Sequence, residues 1–262
     1  MPERRETIQS LWVRGRLSTL ERLSIRSFLS HGHPYRLYTY GDVEGVPEGV
    51  EVCDAASILD PSRIFVYQTE GVGKGSLSGF SNLFRYTLLA ERGGWWADTD
   101  IVCLKPFEFD QPTVISASDE GKWGEAANNC VMKAPSGDPV LTYCRDAFDR
   151  FDTATLEMAK SGPNLVQEAI REVGSDGLVP ADVFCPVSWR HARWLVAPRY
   201  HVAWYNVKRR IRGGEVVGGL RTSSSAVHLW TNIWKHEGMD KNASYPRSSL
   251  YETLKQRYLP DG

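Results

Sequence analysis

The hydrophobic pattern changes period twice within the first forty residues. Thr7 to Val13 alternates and is rich in β-formers, which predicts a strand. From Leu17 to Ser30 the apolar positions Leu17, Leu20, Leu23, Ile25 and Phe28 follow a helical period. Ser18, with Glu21 three residues on, offers that helix a capping box. His31-Gly32-His33-Pro34 ends it. Tyr35 to Tyr40 reads as a second strand, closed by Gly41-Asp42. A strand, helix and strand in this order form a βαβ unit, so a parallel sheet and an α/β fold are expected. Further on, Phe80 to Arg92 predicts a helix stopped by Gly93-Gly94, and Trp95 to Ala97 a short buried strand. Ile101 to Leu104 continues apolar. Strands are expected at Thr113 to Ala117, Asn129 to Ala134 and Ala226 to Trp230. Helices are expected at Pro139 to Phe151, Asn164 to Val173 and Ser248 to Tyr258. Neither a repeat nor a Pro/Gly-rich linker divides the chain. The expectation is one domain over residues 1–240, with 241–262 as its C-terminal helical appendage.

Composition changes this picture little. The chain is 42% hydrophobic and 24% charged with a net charge of −1, so nothing global points to nucleic acid. The five cysteines include no Cys-x-x-Cys pair, which argues against a zinc ribbon or a redox motif. Cys103 and Cys130 lie in apolar runs and read as small core residues, which suits a reducing compartment. The charged start of the chain is followed by no apolar stretch long enough for a signal peptide, so a cytoplasmic location is expected. Gly71 to Gly79 is glycine-rich but lacks P-loop spacing, and reads as a loop near a site.

The sharpest chemical feature is Asp98-Thr99-Asp100. Two carboxylates at i and i+2 on a strand share a face. At the carboxyl edge of a parallel sheet they would lie where open α/β folds bind ligands. Two hard oxygen donors suit Mg²⁺ or Mn²⁺ better than zinc. An Asp-x-Asp alone is more often a solvated turn. This pair, however, lies between apolar segments, where carboxylates need a compensating partner.

Phe80-Ser81-Asn82-Leu83-Phe84-Arg85-Tyr86-Thr87-Leu88-Leu89, then Gly93-Gly94-Trp95-Trp96-Ala97-Asp98-Thr99-Asp100, resembles the sugar-binding region containing the DXD motif. That region is shared by bacterial capsular and lipopolysaccharide transferases, α-1,4-galactosyltransferase-like enzymes, yeast mannosyltransferases and the glucosylating clostridial toxins. The resemblance implies a GT-A-like, Rossmann-type sandwich with a mixed central sheet. It also implies transfer of a hexose, with retention, from a nucleotide-sugar, UDP foremost, to a hydroxyl acceptor such as a glycan or lipid-linked glycan. Such an enzyme would serve polysaccharide or lipopolysaccharide synthesis.

The same resemblance assigns roles to single residues. Trp12 would stack on the base. Asn82 and Arg85, three apart on one helix face, would reach the donor sugar and diphosphate. The family has Asp where this chain has Asn82, so the donor sugar is left open. Asp98, Asp100 and His228 would hold Mn²⁺ or Mg²⁺, and Trp234 and Lys235 would belong to a loop closing on the diphosphate. Asn128-Asn129 and Ser161-Gly162-Pro163 would border the pockets. None of Asp119, Glu120 and Glu125 stands out as a nucleophile. The basic run Lys208-Arg209-Arg210-Ile211-Arg212 reads first as a solvated face. Its functional alternative is a grip on acceptor phosphate or on an anionic bilayer, a peripheral membrane contact. Two rival readings remain: a phosphohydrolase of the haloacid dehalogenase type, for which Asp98 and Asp100 fit the nucleophile motif, and a non-catalytic nucleotide-sugar binder.

Overall fold

The computed structural model describes residues 5–70 and 73–260. Strand β1 (Ile8–Trp12) is followed by the two-residue β2 (Gly15–Arg16), α1 (Thr19–Ser30), β3 (Tyr35–Thr39), β4 (Val43–Glu44) and β5 (Val50–Asp54). Then come α2 (Ser78–Arg92), β6 (Gly94–Ala97), β7 (Ile101–Cys103), β8 (Val114–Asp119) and β9 (Glu125–Ala134). Helices α3 (Pro139–Ala147), α4 (Pro163–Val173), α5 (Ala181–Phe184) and α6 (Arg199–Ile211) precede β10 (Ala226–His228), α7 (Thr231–His236) and α8 (Leu250–Tyr258).

The central sheet has the order β5-β3-β1-β6-β9-β8. β5, β3, β1 and β6 run parallel, while β9 is antiparallel to both β6 and β8. The fold is therefore α/β with a mixed central sheet. Each face carries its own core, because successive side chains of a strand point to opposite sides. Trp95 joins Leu20, Leu23 and Phe28 of α1, with Tyr251 and Leu254 of α8. Its neighbour Trp96 joins Phe80, Phe84 and Leu88 of α2, Leu141 of α3 and Val166 of α4. Both indoles are at most 1% exposed, so the Trp-Trp pair plugs both layers at the strand that delivers the acidic motif.

The local chemistry explains the entry to that strand. Ser18 and Glu21 form the expected capping box on α1. Helix α2 begins at Ser78, two residues earlier than the periodicity indicates, and stops at Gly93 with φ 67°. A Cβ at Gly93 would lie 2.7 Å from the Ser136 backbone nitrogen, so only glycine lets α2 turn directly into β6. Ser10, in the middle of β1, bonds Ala97 O at 2.5 Å and the Tyr35 hydroxyl at 2.6 Å, pinning the end of β6.

The sequence pattern missed or overextended several elements. β5 is an edge strand that buries little, so its alternation is weak. Helix α3 ends at Ala147 and passes into a 3₁₀ turn at Phe148–Arg150. β10 ends at His228: one further pairing bond runs from Leu229 N–H to the Asp100 carbonyl, and Trp230 then turns left-handed. In the glycine-rich segment, Gly71 and Val72 lie outside the described residues, and Gly73 to Gly75 form a turn. Among the described residues, no helix is long and apolar enough to cross a membrane.

His33 ties α1 to this frame. Its Nδ1 faces Glu6 O at 2.9 Å and its Nε2 accepts from Phe107 N–H at 3.0 Å, an arrangement only the neutral ring satisfies. Burial lowers its pKa below the ordinary 6.5. A depressed folded pKa gives stability that is complete above about 6.5 and is lost as pH falls through the folded value. Urea midpoints are expected to drop between pH 7 and pH 5, and His33→Gln to shrink that drop. An equal slope in the variant would place the pH dependence elsewhere.

Candidate active site

The acidic motif follows β6 directly. Asp98 N–H still bonds Cys130 O at 2.8 Å across to β9, and Ile101 N–H closes back on Asp98 O at 3.1 Å. The two carboxylates thus sit in a turn between β6 and β7, not on one face of a continuing strand. The turn still brings them together. A carboxylate oxygen of Asp98, one of Asp100 and a ring nitrogen of His228 all lie within 4.8 Å of one another. The position is the carboxyl end of the parallel strands, as the fold rule requires.

Each ligand candidate is held by a different element. Asp98 Oδ1 accepts from Arg85 of α2 at 2.5 Å and from Trp96 Nε1 at 2.9 Å. Arg85 is nearly buried, lies 4.9 Å over the Trp96 ring, and also donates to Asn129 O. Asp100 Oδ2 accepts from both the backbone N–H and the hydroxyl of Thr231 at 2.9 Å, while its Oδ1 lies 3.3 Å from His228 Nε2. Asp100 therefore serves as the N-terminal cap of α7, a helix whose own N-cap residue, Trp230, provides no side-chain bond.

Trp230 is the one non-glycine residue with positive φ among the described residues, at 59°. Its ring stacks on His228 at 3.8 Å and its Nε1 donates to Val187 O at 2.7 Å. These contacts offset a left-handed conformation that costs about 1–2 kcal/mol. Strain of this kind gathers at functional sites.

Burial and charge separate the two carboxylates. Burial raises the Asp98 pKa to about 6, against the pull of Arg85 and with the push of Asp100. For Asp100 burial is outweighed by His228 and Thr231, which hold its carboxyl well below the usual range. Burial opposes protonation of His228, yet the Asp100 carboxylate lifts its pKa well above the ordinary value.

His228 has a second neighbourhood. Its Nδ1 lies 3.9 Å from Cys185 Sγ, and Cys185 Sγ lies 3.6 Å from Cys130 Sγ. The donor atoms of this trio also lie within 4.8 Å of one another. Cys130 is buried, as its apolar run indicates, but it belongs to the site's surroundings and is more than core filling. The ring thus turns one nitrogen to sulfur and the other to oxygen. A neutral imidazole with its proton on Nδ1 would aim the Nε2 lone pair at the acidic pair.

Beside this stands an amide and hydroxyl cluster. Asn129 Nδ2 donates to Asn82 Oδ1 at 2.9 Å and to the Tyr86 hydroxyl at 2.8 Å. Asn82 Nδ2 donates to Ser161 Oγ at 3.3 Å, and Tyr67 bonds the same hydroxyl at 2.8 Å. Asn82 does not balance Arg85; Asp98 does. Arg85 of α2 thus bonds the acidic pair directly, and Asn129 of β9, through its carbonyl on Arg85, sets Asn82 beside it.

Trp12 ends β1 half-buried, with the Lys241 ammonium 5.9 Å from its ring centroid and its Nε1 without a hydrogen-bond partner among the described residues. A cavity of about 280 Å³ opens at the carboxyl ends of β1, β3 and β5, lined by Val13, Arg14, Tyr40, Asp54 and Ile64 among others. Trp234 is fully buried against Tyr245 and Tyr251 and presents no face to a ligand here. Lys235 is exposed in the last turn of α7. Asp119 and Glu120 face Arg190 at 3.8 and 3.7 Å, so neither is a free carboxylate.

Residues 53–120 match the family described as "Glycosyltransferase sugar-binding region containing DXD motif". The chain carries a glycosyltransferase DXD region. The match spans Asn82, Arg85, Asp98 and Asp100, and leaves Trp12, His228, Trp234 and Lys235 outside it. Among solved structures, "PaToxG Glycosyltransferase" is 13% identical, with 97% of this chain and 85% of that chain covered and a TM-score of 0.46. The apo-form glycosyltransferase GlyE of Streptococcus pneumoniae TIGR4 is 10% identical, with 90% and 61% covered and a TM-score of 0.44. Both scores lie below 0.5, and neither likeness bears on this chain's chemistry. Comparison with curated proteins finds no match.

Thr231, Trp230 and Cys185 are the site residues that sequence reasoning missed. Thr231 reaches Asp100 across 131 positions, and no local pattern announces so long a contact. The only available signal was the His228-to-Lys235 cluster that contains it.

Proposed function

We propose that this protein is a metal-dependent glycosyltransferase that moves a hexose from a nucleotide-sugar, UDP-linked by preference, to a hydroxyl on a glycan or lipid-linked glycan. The observation that carries the reading is the convergence of His228, from far along the chain, on Asp98 and Asp100 of the matched DXD region. Two carboxylates and one imidazole form an oxygen-rich donor set that fits Mn²⁺ or Mg²⁺. Bound there, the ion would neutralise a diphosphate leaving group.

The chain's own residues do the rest. Asp100 is fixed by α7 and is kept ionised at neutral pH. Asp98 has Oδ2 free of protein hydrogen bonds among the described residues, because both of its contacts use Oδ1. Arg85 supplies a fixed positive charge beside the diphosphate position. Asn82, Asn129 and Ser161 line up amide and hydroxyl groups that suit sugar hydroxyls. Trp12 offers the base a face, worth about 1–3 kcal/mol of stacking. No carboxylate stands out as a nucleophile among Asp119, Glu120 and Glu125, and a front-face displacement with retention, which needs none, is the proposed course.

A donor screen tests this. With Mn²⁺ present, one UDP-hexose is expected to release UDP slowly to water and faster with a glycan acceptor, and chelation is expected to stop both. Release of inorganic phosphate from phosphomonoesters, with no UDP release from any donor, would move the phosphohydrolase reading ahead.

A further inference from the structure

Helix α6 is built the wrong way round for a soluble protein. None of its residues is buried. Its large apolar side chains face water: Tyr200 is 66% exposed, Trp204 61%, Val207 55% and Ile211 80%. At 100° per residue these four fall within about 60° of one another. The half-buried residues Val202, Tyr205, Asn206 and Arg209 occupy the opposite side. There Tyr205 packs on Trp194 at 4.6 Å, and Asn206 makes two hydrogen bonds with the Val217 backbone. The helix is thus anchored by its more polar face and presents a continuous apolar stripe outward, a surface that soluble proteins reserve for a partner.

The charges say which partner. Arg199, Lys208, Arg209, Arg210 and Arg212 lie in or beside the helix, and no carboxylate occurs from 199 to 214. On the helical wheel Lys208 and Arg212 flank one side of the stripe, and Arg199 and Arg210 the other. The Lys208 ammonium lies 3.4 Å from the Trp204 ring centroid, a cation held over the aromatic face at the edge of the stripe. Paired copies of this face would bring like charges together, and no acid within it could relieve them. An apolar stripe of Trp, Tyr, Val and Ile between two rows of cations matches the depth profile of an anionic lipid surface, with acyl chains below and phosphates alongside.

We propose that α6 is an interfacial helix that docks the protein on an anionic bilayer through Tyr200, Trp204, Val207 and Ile211, with the flanking cations on lipid phosphates. Segment Trp189–Leu195 touches both α6 and α7, the helix capped by Asp100, so a single segment links the docking helix to the DXD site. The docking surface stands on α6 alone and is independent of the transferase reading.

The test is co-sedimentation with vesicles of phosphatidylcholine, and with vesicles in which about a third of the lipid is phosphatidylglycerol. Binding is expected only to the anionic vesicles and is expected to weaken with salt. Lys208→Glu with Arg210→Glu and Arg212→Glu is expected to reduce it at least about tenfold. Trp204→Ser with Ile211→Ser is expected to reduce it at least about tenfold while leaving the charge unchanged. Unchanged urea unfolding of both variants shows that the fold is kept, as these side chains are exposed. Absence of vesicle binding at low salt, equal binding to neutral vesicles, or a solution dimer abolished by the Trp204→Ser variant would each overturn the proposal.

Discussion

Arg85→Met is expected to destabilise the fold by about 3 kcal/mol, the lower end of the range for breaking a buried ion pair by removing one partner. The lower end applies because the Asp98 side chain is 27% exposed while that of Arg85 is 3% exposed. The variant strips Asp98 of its nearest positive charge, and the Asn129 carbonyl loses its donor. A second change, Asp98→Asn, is expected to recover most of the loss, because no carboxylate is then left uncompensated. Neither single variant nor the double variant is expected to bind nucleotide as the wild type does. Urea unfolding of the four proteins gives the coupling directly. A single variant as stable as the wild type would show that Arg85 is not the counter-charge of Asp98.

Asp100→Asn carries the second large effect. An outer-shell partner of a metal ligand is worth 10- to 100-fold in metal affinity, so losing a ligand is expected to cost at least about 100-fold in Mn²⁺ affinity. Asparagine can still accept from Thr231 and keep the cap on α7. Asp100→Ala removes the cap as well, and is expected to cost about 0.5–2 kcal/mol of stability besides. Electron paramagnetic titration of Mn²⁺ separates the two effects from each other. Equal Mn²⁺ affinity in wild type and Asp100→Asn would place the ion elsewhere.

The legible parts of the fold were those where period and punctuation agree. The β1-α1-β3 unit shows a clean switch of period, a capping box and a glycine stop, and it folds as read. The α2-Gly93-Gly94-β6 connection was equally plain, since only glycine tolerates the contact with Ser136. The edge strand β5 was silent because it buries too little to leave a pattern. Helix α6 was equally silent: it buries no residue, its basic run reads as a solvated face, and the outward stripe of Trp204 and Ile211 appears only once the rest of the core is full.

At the site, local spacing singled out Asp98 and Asp100, and the family resemblance added Asn82 and Arg85 as candidates. The partners that hold Asp100 ionised, His228 and Thr231, come from far along the chain. Trp234 illustrates the limit of transferring a role by position. Its place beside His228 made it a candidate loop residue, yet its indole fills the core beside Tyr251.

The measurement closest to the central claim is a calorimetric titration of UDP into the wild-type protein, first with Mn²⁺ and then with the metal chelated. Saturable binding that appears only with the metal is the predicted result. No binding of any nucleoside diphosphate under either condition would contradict the claim that Asp98, Asp100 and His228 form a nucleotide-sugar site.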